Sequence, residues 1–212
     1  MDFSSHSQAG QDTFVLNVLK HKKNGWYVEI GTHCPISLGN NTYFLERDYE
    51  WRGLMVEYDR SFEEKYKIHR PKSWYIIDDA RRIDYYSFLK EKAFPKEIDY
   101  LQIDLDVNNR STLDTLELFD STVFTEYKFA TITFEHDIYT GDYFNTRAES
   151  RKIFEKRGYI LVFPDVQVQY GGWNPFEDWY VHPDLVDMDY VNRIKCDRSL
   201  THIEIDNRYM VS

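Results

Sequence analysis

The chain has 212 residues with only 9 Gly and 6 Pro but 5 Trp, 17 Tyr and 14 Phe, which excludes collagen-like, linker-dominated and disordered designs and suits one domain, 1–212. Asp and Glu number 36 against 26 scattered Lys and Arg, a net charge of −10, so neither nucleic acid nor an anionic membrane is an expected partner. No apolar run reaches the ~18 residues that span a bilayer, no leader pattern opens the chain, and 2 cysteines (Cys34 and Cys196) build no disulfide framework, so a cytoplasmic protein with reduced thiols is expected.

In chain order, Gln8–Lys20 carries Phe14, Val15, Val18 and Leu19 on one helical stripe, and Trp26–Ile30 reads as a strand. Asn40–Arg47 opens a helix, Gly53–Glu57 is a strand and Ser61–His69 is helical. The alternation continues with Trp74–Ile77 and Asp84–Lys92, Ile98–Leu105 and Ser111–Phe119, then Phe129–Glu135 and Thr146–Arg157. Tyr159–Phe163, a turn at Pro164-Asp165, and Val166–Val168 read as a closing β-hairpin. This order predicts an α/β, single-domain, Rossmann-like fold: a mostly parallel sheet with helices on both faces.

Ligands of such sheets bind at the carboxyl ends of the strands. There the chain places Glu29 and Gly31, Glu57 and Asp59, Asp78 and Asp79, Asp104 and Asp106, and Glu135, His136 and Asp137. Glu57, ending the second strand, suits ribose hydroxyls. Gly31 is followed by Thr32-His33-Cys34-Pro35 without the further glycines that let backbone approach a pyrophosphate. A nucleoside without phosphates, such as S-adenosylmethionine, needs only one close glycine and acids for its ribose and amino groups.

Ser7-Gln8-Ala9-Gly10-Gln11-Asp12, Val28-Glu29-Ile30-Gly31, Asn41-Thr42-Tyr43-Phe44-Leu45-Glu46, Trp51-Arg52-Gly53-Leu54 leading to Glu57, Asp79-Ala80 and Ile98–Asp104 follow one another in order. Over roughly residues 7 to 165 this succession resembles the FkbM-like class of S-adenosylmethionine-dependent O-methyltransferases, whose members include those of bacterial polysaccharide pathways and of large algal viruses. Two motifs depart from that class: His33-Cys34-Pro35 stands where aspartate-glycine often follows, and Asp104-Leu105-Asp106-Val107 replaces Asp-x-Glu-Gly. The resemblance implies a methyltransferase fold with a cofactor half at about 7–110 and acceptor-side elements at about 135–190. It also implies that Gln11, Glu29, Gly31 and Thr32 shape the first cofactor loop, Glu57 holds the ribose, Asp79 and Ala80 flank the adenine, and Asp104 lies near the methionine amino group. A viral member would work in the host cytoplasm.

Methyl transfer to a hydroxyl needs a base or a cation that lowers the hydroxyl pKa. Asp104, Asp106, Glu135, His136 and Asp137 end neighbouring strands and are placed to converge, which makes Asp104, Asp106 and His136 candidate catalytic groups. Either His136 is the general base, or Asp106, Glu135 and Asp137 hold Mg²⁺ or Mn²⁺ through oxygen ligands. The segment Gly171–Pro183 mixes ring faces with hydrogen-bonding groups, as carbohydrate sites do, and Trp173, Asp178, Trp179 and His182 are its candidate acceptor contacts. The leading expectation is therefore an O-methyltransferase acting on a sugar hydroxyl of a glycan or glycoconjugate. Two alternatives stand beside it: a glycosyltransferase using Asp104-Leu105-Asp106 as a D-x-D motif for Mn²⁺ and a nucleotide sugar, and a non-catalytic glycan-binding module.

Overall fold

The computed structural model describes residues 5–36 and 39–209. Its parallel strands are β1 (Trp26–Ile30), β2 (Arg52–Glu57), β3 (Trp74–Ile77), β4 (Glu97–Ile103) and β5 (Lys128–Glu135). They alternate with helices α1 (Gln11–Val18), α2 (Tyr43–Tyr49), α3 (Glu63–His69), α4 (Tyr85–Glu91), α5 (Ser111–Ser121) and α6 (Thr146–Lys156). A long antiparallel hairpin, β6 (Ile160–Gln169) and β7 (Trp173–Val181), then completes a 7-stranded sheet of order β3-β2-β1-β4-β5-β7-β6. Helices α7 (Met188–Ile194) and α8 (His202–Tyr209) follow, and no pattern in the sequence announced them. Among the described residues no helix is long and apolar enough to cross a membrane.

Side chains alternate across the sheet with period two, and both faces are covered, so the strands read as nearly continuous apolar runs. On one face Tyr27, Met55, Tyr100 and Trp179 pack under Phe14, Val15 and Leu45 of α1 and α2. On the other, Val28, Ile30, Leu101, Ile103, Ile132 and Phe134 pack under Leu116, Phe119 and Phe154 of α5 and α6. The strand order reverses between β1 and β4, which both pair in parallel, so a crevice opens where their carboxyl ends diverge.

The closing hairpin is longer than expected and turns elsewhere. Pro164-Asp165 is not a turn but lies in an irregular stretch of β6, where the register with β7 shifts between Phe163 and Val166. Asp165 adopts φ 52° there, and β6 is the sheet's edge strand, where a proline's missing N–H breaks no ladder. The chain reverses at Tyr170-Gly171-Gly172, with Tyr170 N donating to Gly172 O at 2.8 Å. Most of Gly171–Pro183 is consequently strand β7 rather than a segment lying over the sheet.

Candidate functional site

At the end of β1, Gly31 turns with φ +84°, its N–H donating to Val56 O at 3.0 Å. A Cβ on Gly31 would lie 1.6 Å from the backbone oxygen of Asp104, so only glycine lets the ends of β1 and β4 approach this closely. The following loop is tied down by side chains. Tyr66 of α3 is hydrogen-bonded to the Thr32 hydroxyl and donates to His33 O at 2.6 Å. Asn40 donates to Thr32 O at 3.0 Å, and buried Arg70 reaches Asn40 Oδ1 and Thr42 Oγ1 at 3.1 and 2.6 Å. Glu29 accepts from Asn41 N at 3.1 Å and Thr42 Oγ1 at 2.7 Å, and burial raises its carboxyl to about 7 although Arg70 pulls the other way. Glu29 and Gln11 thus stand behind the loop: Gln11 is buried, donating to Glu177 Oε1 at 2.8 Å.

Two cavities open along the carboxyl edge. One of about 820 Å³ is lined by Gln8, Gly31, Thr32, Glu57, Asp104 and Asp106 among others; a second of about 490 Å³ is lined by Asp78, Asp79, Ala80 and Asn109. They share Glu57, Leu105 and Asp106 and so form one groove across β1 to β4. Glu57 is fixed at the junction: Oε2 accepts from His33 N at 2.6 Å, and Oε1 from Tyr58 N and Asp59 N at 2.9 Å each. Asp79 caps the turn at Arg81 and pairs with that guanidinium, which holds its carboxyl down near about 2. Arg81 is the one Lys or Arg among the lining residues of the two cavities, so the groove has little to neutralise a diphosphate.

The period-two pleat separates the acids that sequence order brought together. Glu135 and Asp137 lie with Asp104 on the α1 side. Burial, the Asp104 charge and a hydrogen bond to Asp104 hold Glu135 well above the usual carboxylate range. Asp104 is itself raised by burial, which hydrogen bonds from Glu135 and Gln102 offset only in part. Burial and the Asp104 charge lift Asp137 to about 6. His136, in contrast, points through the other face toward α6. It is 1% exposed, with Nδ1 accepting from Ile138 N at 3.3 Å and Nε2 at 3.4 Å from Asp165 and 3.5 Å from Asp178. His136 therefore does not reach the groove as a general base.

Nor do Asp106, Glu135 and Asp137 assemble a cation site. Asp106 is exposed, and its carboxylate accepts from Asn108 N and Asn109 Nδ2 at 3.3 and 3.1 Å. Among the described residues the group whose metal-type donor atoms lie within 4.8 Å of one another is His136, Asp165 and Asp178. Its oxygens are already engaged: Arg151 grips Asp178 through two 2.7 Å bonds, Arg147 and Arg151 lie 3.0 Å from Asp165, and Asp165 N donates to Asp178 at 2.8 Å. This is a buried ion-pair network joining β5, α6, β6 and β7, not a cation site. Burial pushes the Asp178 carboxyl up, but Arg151 and His136 together outweigh it and keep that carboxyl below its ordinary value.

The expected acceptor contacts are likewise dispersed. Trp179 is fully buried against Phe14 and Phe163, with ring centroids 4.9 and 5.8 Å away. Asp178 is the buried partner of Arg151, and His182 sits at the opposite sheet edge, its backbone N–H on Ala130 O at 3.0 Å. Only Trp173, 39% exposed at the hairpin tip, remains on the groove side. Sequence reading missed Tyr66 of α3 and Arg70, the residue that caps its end four positions on; they reach His33, Asn40 and Thr42.

No family model matches the sequence, and no curated protein matches it. The fold is that of S-adenosylmethionine-dependent methyltransferases. A TehB-like enzyme of this class from Corynebacterium glutamicum superposes with a TM-score of 0.51 at 10% identity, covering 81% of this chain and 87% of that one. A precorrin-6y methyltransferase from Geobacter metallireducens gives 0.52 at 14% identity, covering 80% and 86%. A putative RNA methyltransferase from Pyrococcus horikoshii gives 0.52 at 11% identity, covering 82% and 83%. At these identities the likeness establishes the fold.

Proposed function

We propose that the protein is an S-adenosylmethionine-dependent O-methyltransferase of the FkbM-like class, acting on a sugar hydroxyl of a glycan or glycoconjugate. The observation that carries this reading is the Glu57 junction: a fixed carboxylate between an acid-lined cavity at Gly31 and Asp104 and a second cavity at Asp79 and Ala80. An amino acid joined to a nucleoside divides in just this way, and acids suit its ribose, ammonium and sulfonium groups. The bound cofactor supplies an electrophilic methyl group on a sulfonium. Gly31 lets β1 and β4 close up at the floor of the groove, Glu57 accepts from ribose hydroxyls, and Asp79-Ala80 flank the base. Asp104 faces the amino acid end. Asp137, raised to about 6, accepts the acceptor hydroxyl's proton near neutral pH. The residues present do not fit a divalent cation at Asp106. Nucleic acid, the substrate class named for the Pyrococcus protein, suits this acid groove poorly.

Calorimetry with S-adenosylhomocysteine tests the cofactor half. Glu57→Ala removes a charge-assisted hydrogen bond and is expected to weaken binding roughly 10- to 150-fold. Wild-type affinity in that variant overturns the assignment. Transfer of labelled methyl to neutral oligosaccharides tests the acceptor half, and a product labelled on nitrogen or carbon rather than oxygen overturns it.

A further inference from the structure

Strand β7 pairs with β5 only as far as Glu135↔Glu177; beyond that point Trp173, Asn174 and Pro175 pair with β6 alone. At ~3.3 Å per residue, the tip therefore overhangs the carboxyl end of β5 by roughly 13 Å, on the edge where the groove opens. The overhang is braced rather than loose. Phe176 O receives His136 N and Asp137 N at 2.8 and 2.9 Å, Gln167 N donates to Leu200 O at 2.9 Å, and the Trp173 ring lies 5.6 Å from that of His202. At its end Asn174 Nδ2 holds the turn through Tyr170 O and Gly172 O, at 2.7 and 3.1 Å.

This braced arm nevertheless exposes a large ring. Tyr170 is 76% exposed, and Tyr139, in the turn closed by Thr140 N to Asp137 O at 2.9 Å, is 39% exposed. The turn that carries Tyr139 is tied to β7 through the Asp137 N bond to Phe176 O, and the Tyr139 hydroxyl is pushed up first by burial and then by Asp137, Glu135 and Tyr170. Arg110, at the start of α5, binds Asp114 and Glu117 at 2.6 Å each, and Arg147 of α6 binds Asp165 at 3.0 Å.

We propose that the overhanging hairpin tip and the turn after β5 form a saccharide-binding surface, with Tyr139 and Tyr170 as stacking faces beside Asp137, and that it selects saccharides lacking carboxylate, phosphate or sulfate groups. A pyranose offers C–H faces to rings and hydroxyl donors to carboxylates, which accept only. An acidic sugar would bring its charge to the Asp137 carboxylate, and Arg110 and Arg147 are already paired with acids. The inference rests on the proposed function for what is methylated, but the surface binds sugar whether or not the groove holds the cofactor.

The test uses the full chain with S-adenosylhomocysteine on an array of neutral oligosaccharides and their uronate and phosphate counterparts, followed by calorimetry on the tightest neutral binder. Retention confined to non-acidic glycans is expected. Tyr170→Ala and Tyr139→Ala should each weaken that binding about ten-fold, the loss of one ring face, with unchanged S-adenosylhomocysteine affinity and unfolding midpoint. Equal retention of acidic glycans, retention of none, or wild-type sugar binding by both variants overturns the proposal. If S-adenosylhomocysteine does not bind, the cofactor reading falls, and array retention still decides this one.

Discussion

At the scale of single residues, Gly31 and Glu29 do different work from adjacent places. Gly31 combines a left-handed φ with a Cβ position 1.6 Å from the Asp104 oxygen, so Gly31→Ala must move β1 or β4. Urea unfolding should show a loss above ~2 kcal/mol, with cofactor binding lost as well. Glu29 has its carboxyl raised to about 7 by burial, so the folded chain holds a proton there that the unfolded chain releases near its ordinary value of 4.5. Its contribution to stability is full below about 4.5, declines as pH rises and is lost above about 7. Glu29→Gln should flatten that decline in denaturant titrations across this window; an unchanged slope would show that Glu29 is not its source. Position alone marked both residues as candidates, since strand ends collect site residues. Whether a side chain touches ligand or braces the loop was not, because Tyr66, Arg70 and Asn40 reach the loop from distant sequence.

At the scale of elements, the final hairpin shows where local signals and tertiary context part. Pro164-Asp165 carries strong turn chemistry, yet tertiary pairing on an edge strand absorbs both residues into β6. That one shift moves Asp178 and Trp179 from a presumed acceptor surface into the interior. The alternation of Glu135, His136 and Asp137 was readable in principle, since neighbours in a strand face opposite ways, but it shows which face holds the groove only once α1 and α6 are placed. Asp178→Ala would leave Arg151 and His136 facing a void. Breaking such a buried pair should cost about 3–5 kcal/mol. Trp179→Ala should cost a similar ~3–5 kcal/mol by opening a cavity among Phe14 and Phe163. Thermal and denaturant unfolding measure both, and a destabilisation under ~1 kcal/mol in either would contradict the interior placement.

At the scale of the whole molecule, the net charge of −10 and the crowding of acids along one sheet edge act in the same direction. A cationic ligand gains from the diffuse field at long range and from Asp104 and Asp137 at short range. S-adenosylhomocysteine lacks the methyl group and with it the sulfonium charge, so the pH dependence of the affinity ratio, to which the methyl contacts contribute nothing, reads that gain. Asp137 acquires its own charge as pH rises through about 6. Preference for the sulfonium form should therefore grow between about pH 5 and pH 7.5, by several-fold for a carboxylate close to the sulfonium. Asp137→Asn should abolish the pH dependence of the ratio while leaving S-adenosylhomocysteine affinity near wild type. Paired calorimetric titrations across that range read the ratio directly. A ratio independent of pH in the wild-type protein would place the sulfonium away from Asp137 and remove that carboxylate as the proton acceptor.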